Sequence, residues 1–400
     1  MTNKPIYLDN HATTPLDPHV LEIMMPYLTT EFGNPASKSH VFGWSAEKAV
    51  NKAREQVAKS LKAHPKEIVF TSGATESNNM ALKGIARCLK NKGNHIVSSS
   101  IEHNAVFDSL NALVKEGFEV TYLNPDKEGL ITVEDVKNVV KPNTILLSFM
   151  AANNEIGTLN PIKEIGSFAK KAGIIFHCDA VQGFGRIPFD VENIDVDLVS
   201  ISGHKIYGPK GVGALYVKNS VQKHMCALIH GGGHERGMRS GTLNVAGIVG
   251  LGAACELVVK NEKKEQEHAL KLRTLLHKKL DSALEHVCVN GSIEQRVPGN
   301  LNVSFAFVDG EDLMLAINNK VAVSASSACT SASMKASHVL KNLGVRADLV
   351  LAAIRFGIGR FNTEDEINQV ADLIIDEVSR LRNLSPTWSK VKDQKFNIIQ

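Results

Sequence analysis

Between residues 68 and 218, short apolar runs alternate with amphipathic stretches. Ile68-Val-Phe-Thr, His95-Ile-Val-Ser, Phe118-Glu-Val-Thr-Tyr-Leu, Thr144-Ile-Leu-Leu-Ser-Phe, Gly173-Ile-Ile-Phe-His and Asp197-Leu-Val-Ser-Ile are rich in β-branched or aromatic residues and bounded by turn residues. They predict strands. The intervening stretches 76–91, 104–116 and 161–172 carry helical periodicity. Such alternation predicts an α/β fold, a mostly parallel sheet with helices on both faces. Further on, the charged run Lys260-Asn-Glu-Lys-Lys-Glu-Gln-Glu precedes Leu272, Leu276, Leu280 and Leu284, spaced to share one side of a long helix. That helix is expected to leave a first domain and open a second. Thr363-x-x-Glu366 is a capping box, followed by the apolar stripe Ile367, Val370, Ile374, Val378 and Leu381. After Pro386 periodicity ends, and a mobile tail is expected.

Composition narrows the class. The 400 residues are 43% hydrophobic and 22% charged, which predicts a soluble globular protein of two or three domains. No apolar run approaches the ~18 residues of a membrane span, and no basic-then-apolar leader pattern occurs. A cytoplasmic protein is expected. The net charge of +3 is too small and dispersed to argue for nucleic-acid binding. The six cysteines, Cys88, Cys178, Cys226, Cys255, Cys288 and Cys329, form no C-x-x-C pair, so neither a zinc knuckle nor a dithiol redox motif is indicated.

In parallel sheets ligands sit beyond the carboxyl ends of the strands, and several predicted strand ends carry chemistry. Thr71-Ser-Gly-Ala-Thr75-Glu ends a strand on a tight glycine turn that opens a helix. The free N–H groups there suit a phosphate, or the turn is simply a capped helix start. Asp179 in His177-Cys-Asp-Ala-Val-Gln182 ends an apolar strand. A carboxylate there can hold a pyridine nitrogen protonated, or cap the next helix. Lys205, in Ser202-Gly-His-Lys-Ile-Tyr-Gly, follows one crossover unit later and fits a Schiff-base lysine; the alternative is a loop lysine. His103, after Ser100-Ile-Glu, fits ring stacking and proton relay, or a plain polar strand end. Cys329 sits among small residues in Val323-Ser-Ala-Ser-Ser-Ala-Cys-Thr-Ser. It is either a solvent-reachable nucleophile or an inert thiol in a packed turn.

Together with Tyr7-Leu-Asp-Asn-His-Ala-Thr-Thr-Pro, Phe32-Gly-Asn-Pro-Ala-Ser, Asn153-Asn-Glu-Ile-Gly and His230-Gly-Gly-Gly-His-Glu-Arg-Gly-Met-Arg-Ser-Gly-Thr242, these segments run almost end to end. The chain resembles the cysteine desulfurases of the NifS/IscS type, in the class V aminotransferase family. The Cys329 loop and the ending Leu384-Ser-Pro-x-Trp are most similar to the housekeeping iron–sulfur assembly subgroup.

The resemblance implies a fold-type I homodimer that uses pyridoxal 5'-phosphate. A large domain over 15–260 would carry a mostly parallel seven-stranded sheet. A smaller α+β domain over 261–400, with 1–14, would carry the cysteine loop. Lys205 would hold the cofactor covalently, Asp179 would pair with its ring nitrogen, and His103 would stack on the ring. Gln182 and Asn154 would contact ring substituents and the substrate side. Ala74, Thr75, Ser202, Gly203 and His204 would hold the phosphate, with Thr242 reaching the neighbouring subunit's. Arg355 would clamp the substrate carboxylate.

The implied reaction converts L-cysteine to L-alanine. Lys205 would remove the Cα proton, and the Cys329 thiolate would take the sulfur as a persulfide. Acceptors would include an iron–sulfur scaffold protein, with Cys329 a transient cluster ligand, and the route to tRNA thiolation. No resident metal, membrane or direct nucleic-acid contact is implied. His224, His230 and His234 would be loop residues at the dimer interface, and His11 receives no role. Another class V enzyme, such as a selenocysteine lyase or an aminotransferase, and a non-catalytic sulfur-relay protein remain as alternatives.

Overall fold

The computed structural model describes residues 4–325, 327–328, 335–386 and 388–391. Helices α1 (Pro18–Thr29) and α2 (Val41–Leu61) precede the sheet. Strand β1 (Ile68–Thr71) then leads through Gly73 into α3 (Ala74–Leu89). There follow β2 (His95–Ser99), α4 (Asn104–Lys115), β3 (Glu119–Leu123), β4 (Thr144–Met150) and α5 (Ile162–Ala172). Strands β5 (Ile175–Asp179), β6 (Leu198–Ser202) and β7 (Gly213–Val217) complete one seven-stranded sheet of order β1-β7-β6-β5-β4-β2-β3. Only β7 runs antiparallel to its neighbours β1 and β6.

The five strands β1, β2, β4, β6 and β7 are buried along their whole length. They read as continuous apolar runs because helices cover both faces. The sequence reading missed β7, whose Gly211-Val-Gly213 start reads as loop. It also began β5 two residues early: Gly173 is the left-handed cap of α5, at φ 69°.

The long helix α6 (Val245–Ala283) has 39 residues, about 58 Å at 1.5 Å per residue. Its first half buries Ile248, Leu251, Cys255 and Val258 in the core beside the large sheet, against α1 and α2. Its second half gives Leu272, Leu276 and Leu280 to a second core. That core lies on an antiparallel sheet of β8 (Val287–Val289), β9 (Asn300–Phe305), β10 (Ser324–Ala325) and β11 (Ala353–Gly357), in the order β10-β11-β9-β8.

Helix α7 (Glu364–Leu384) covers it, opened by the predicted Thr363/Glu366 capping box. Residues 388–391 form a further helical turn, where the sequence lacked periodicity. Trp388 sits 5.6 Å from the Phe307 ring, with the Arg382 guanidinium over its own face. The rest of the tail lies outside the described residues. No described helix is long and apolar enough to cross a membrane.

The N-terminal segment links the two sheets. Ile6–Tyr7 pairs with Val321–Ala322. Asn10 N–H then donates to Gly357 O, and Thr14 N–H to His204 O. Residues 9–14 are thereby laid across the carboxyl ends of the large sheet.

Candidate active site

At those strand ends lies a cavity of about 600 Å³. Ala74, Thr75, His103, Asn154, Asp179, Gln182, Ser202, His204, Lys205 and Arg355 all line it. Of the other predicted residues, Gly203 is buried directly behind, where a Cβ would strike Pro209 O at 2.8 Å. Thr242 is exposed and outside the lining. Cys329 lies outside the described residues.

One end of the cavity is backbone. Gly73 adopts φ 149°, ψ −178°, a region essentially reserved for glycine. A Cβ there would meet nothing within 4 Å, so the turn faces open space. The first bond of α3 is Ser77 N–H to Gly73 O. The amides of Ala74, Thr75 and Glu76 precede it and have no carbonyl to serve within the helix. A helix start of this kind attracts an anion. Glu76 is the one acidic group there. Burial would raise its carboxyl, but hydrogen bonds from Arg239 (2.7 Å) and the Ser72 amide outweigh that and hold it below the usual range.

The other end is built from side chains. Asp179, 5% exposed, ends β5. No helix follows it, so it is not a helix cap. Its Oδ1 accepts from Val181 N–H at 3.0 Å and its Oδ2 from Asn78 Nδ2 at 2.7 Å. His103 caps α4, its Nδ1 accepting from Ala105 N–H at 3.1 Å. Burial holds its ring below the usual histidine range, against the pull of Asp179.

Lys205 Nζ donates to the carbonyls of His11 (2.6 Å) and Ala12 (2.7 Å). Burial, reinforced by Arg186 and Arg355, brings this amine down to about 7. At neutral pH a large share of it is therefore an uncharged nucleophile and base. His204 falls to about 4, mainly by burial, and is neutral.

Two placements differ from the simplest reading of the sequence. Arg355 is already engaged: Nη2 donates to Asp9 Oδ1 and Ser324 Oγ, and Nη1 to Asn154 O, all at 2.8 Å. A carboxylate would meet only its remaining N–H groups. His11, to which the sequence gave no role, is 1% exposed and lines the cavity. Gln182 Nε2 donates to His11 O at 2.9 Å, which fixes the amide so that Gln182 Oε1 accepts from His11 Nδ1, also at 2.9 Å. Asn78, Asp9 and Arg186 were likewise missed. Arg186 Nη2 holds Lys205 O at 3.0 Å and Asn10 O at 3.2 Å. Among the described residues no cluster of three His, Cys, Asp or Glu side chains could hold a metal.

Comparison with known proteins places this geometry. The aminotransferase class-V family model matches residues 6–370. The chain is 57% identical over 389 residues to cysteine desulfurase IscS of Anaeromyxobacter dehalogenans (strain 2CP-C), covering 97% of this chain and 96% of that one. It is 51% identical over 391 residues to cysteine desulfurase IscS of Rickettsia felis, covering 98% and 95%. Among solved structures, a NifS-like protein superposes with a TM-score of 0.88 at 38% identity, over 94% of this chain and all of that one. SspA in complex with cysteine superposes at 0.78 and 36% identity, over 90% and 100%. The chain belongs to the class V aminotransferase family, among the cysteine desulfurases of the NifS/IscS type.

Proposed function

We propose that the cavity binds pyridoxal 5'-phosphate and uses it to convert L-cysteine to L-alanine, leaving the sulfur as a persulfide on Cys329. The observation that carries this reading is one cavity holding a buried lysine amine, a buried carboxylate and an open helix start. These residues fit the cofactor. The N–H groups of Ala74 and Thr75, with Ser202, Gly203 and His204, would take the phosphate. The Asp179 carboxylate, steadied by Asn78, would keep a proton on the ring nitrogen. His103 would lie against the ring, Gln182 and Asn154 would meet its substituents, and Lys205 Nζ would bond its aldehyde carbon.

When bound, the cofactor supplies an electron sink for bonds broken at the α-carbon of an amino acid. The chain's own groups do the rest. Arg355 orients the substrate carboxylate through the N–H groups that Asp9, Ser324 and Asn154 leave open. Lys205 Nζ, once released, takes the Cα proton; a base with a pKa near the working pH is suited to this. Cys329 Sγ attacks the substrate sulfur as thiolate. The Sγ–S bond forms, the Cβ–S bond breaks, and the electron pair stays with the carbon skeleton, which takes a proton at Cβ and regains one at Cα to leave as L-alanine.

The same reading includes a homodimer in which Thr242 reaches the neighbouring subunit's phosphate. Its support is an exposed apolar surface carrying Leu28, Phe32, Val41, Phe42 and Trp44, with Phe32 and Phe42 stacked 5.3 Å apart. Exposed apolar side chains of this number and size mark an interface. It also includes a domain division inside α6, near residue 260, and a cytoplasmic setting with an iron–sulfur scaffold and other carriers as acceptors. The test is incubation with L-cysteine. Stoichiometric alanine in the first turnover, with sulfur retained on the protein, supports the reading. Pyruvate or a keto acid as the main product contradicts it.

A further inference from the structure

Away from the cavity, the segment that follows β7 returns to α3 near its C-terminal end. Cys226 N–H donates to Gly84 O over 3.2 Å. In the regular helix the same carbonyl accepts from Cys88 N–H, four residues on. Two cysteine amides thus converge on one oxygen. Gly84 permits the approach: a Cβ there would meet Met225 Sδ at 2.5 Å and Cys226 O at 2.9 Å. The side chains interact as well: burial first, and then the Cys226 thiol, push the Cys88 thiol up. Cys226 is exposed, Cys88 is half-buried, and both are free. Lys92 only partly offsets that rise at Cys88. Cys178 and Cys255, by contrast, are fully buried and out of reach of solvent, and burial pushes both thiols up, Cys255 to about 12.

We propose that Cys88 and Cys226 are a modification site, a dithiol that closes to an intramolecular disulfide on reaction with a low-molecular-weight disulfide such as glutathione disulfide. Neither residue lines the cavity, so the site stands apart from the desulfurase chemistry. Exposed Cys226 reacts first, through its thiolate. A bond forms between its Sγ and one glutathione sulfur, the glutathione S–S bond breaks, and one glutathione thiolate leaves. Cys88 Sγ then attacks Cys226 Sγ, the protein S–S bond forms, and the second glutathione departs with the electron pair and the Cys88 proton. Two protein thiols are oxidised and one glutathione disulfide is reduced to two thiols. A disulfide requires α-carbons about 4.4–6.8 Å apart, and the cross-link tests that span directly. The bond would fasten the end of α3 to the segment that runs on to Arg239, which already grips Glu76 at the start of that helix.

The experiment is peptide mapping of the full-length protein after treatment with glutathione disulfide, alkylation and digestion without reductant. The expected result is a cross-linked peptide joining residues 88 and 226, lost completely in Cys88→Ser and in Cys226→Ser. In Cys88→Ser a glutathione adduct should stall on Cys226. Three outcomes overturn the proposal: a stable adduct on Cys226 of the unsubstituted protein without the cross-link, either cysteine joined mainly to another partner, or no reaction at either thiol.

Discussion

At one end of the cavity, the Gly73 turn and the first amides of α3 form a receptor from consecutive backbone groups, with no side-chain cap on the helix start. At the other, Asp179 depends on Asn78, Lys205 on His11 and Arg186, and Gln182 on His11, partners between 19 and 194 residues away in the chain. The backbone end is set once the strand–turn–helix unit forms. The side-chain end exists only when the N-terminal segment is laid across the sheet. The first provides a fixed field for an anion. The second provides groups whose proton affinity is tuned by burial, which brings Lys205 down to about 7.

The sharpest way to break this comparison is Lys205→Ala, which removes the tuned end's nucleophile and base. Loss of a general base alone costs about 10²–10⁴ in rate, and loss of covalent attachment adds to it. Turnover should be abolished, with pyridoxal phosphate released on gel filtration while the circular dichroism spectrum is unchanged. Asp179→Asn should keep the cofactor at the anion end yet slow turnover by about ten- to a hundredfold, since a charge-assisted hydrogen bond is worth about 1.5–3 kcal/mol. Steady-state kinetics on the loaded variant reads this.

Titration sharpens the same contrast. Below pH 7 Lys205 Nζ carries a proton and has no lone pair; above it the amine is free. Covalent capture of pyridoxal phosphate by the apoprotein, followed by its absorbance, should be about tenfold faster at pH 8 than at pH 6. The smallest effect belongs to the backbone end. Arg239→Gln would leave Glu76 unpaired beside the helix start. A partly exposed ion pair is worth at most about 1 kcal/mol, so cofactor affinity should fall about fivefold by fluorescence titration, with kcat unchanged at saturation.

The sequence made the backbone end and the strand ends legible because both are local. A glycine turn between an apolar run and a helix, an aspartate closing an apolar run, and a lysine just past the next one are each visible within ten residues. Strand β7 was hidden because its glycine-flanked start resembles a loop, and because an antiparallel insertion breaks the strand–helix rhythm that exposed its neighbours. His11, Asn78 and Arg186 carry no local signal. Asn78 sits on a helix face that looks like any buried polar position, and His11 becomes meaningful only where Gln182, 171 residues later, closes on it. The engagement of Arg355 by Asp9 and Ser324 was equally invisible, since it joins the two ends of the chain.

In the proposed mechanism the tuned end releases the substrate's sulfur to one thiol. Its most direct test is mass analysis of the Cys329 peptide after brief exposure of the loaded protein to L-cysteine, without reductant, with alanine measured in parallel. The account predicts a peptide heavier by one sulfur atom and one alanine released for each sulfur captured, with Cys329→Ser giving neither. An unmodified Cys329 peptide beside normal alanine release, or the added sulfur on another cysteine, would contradict it.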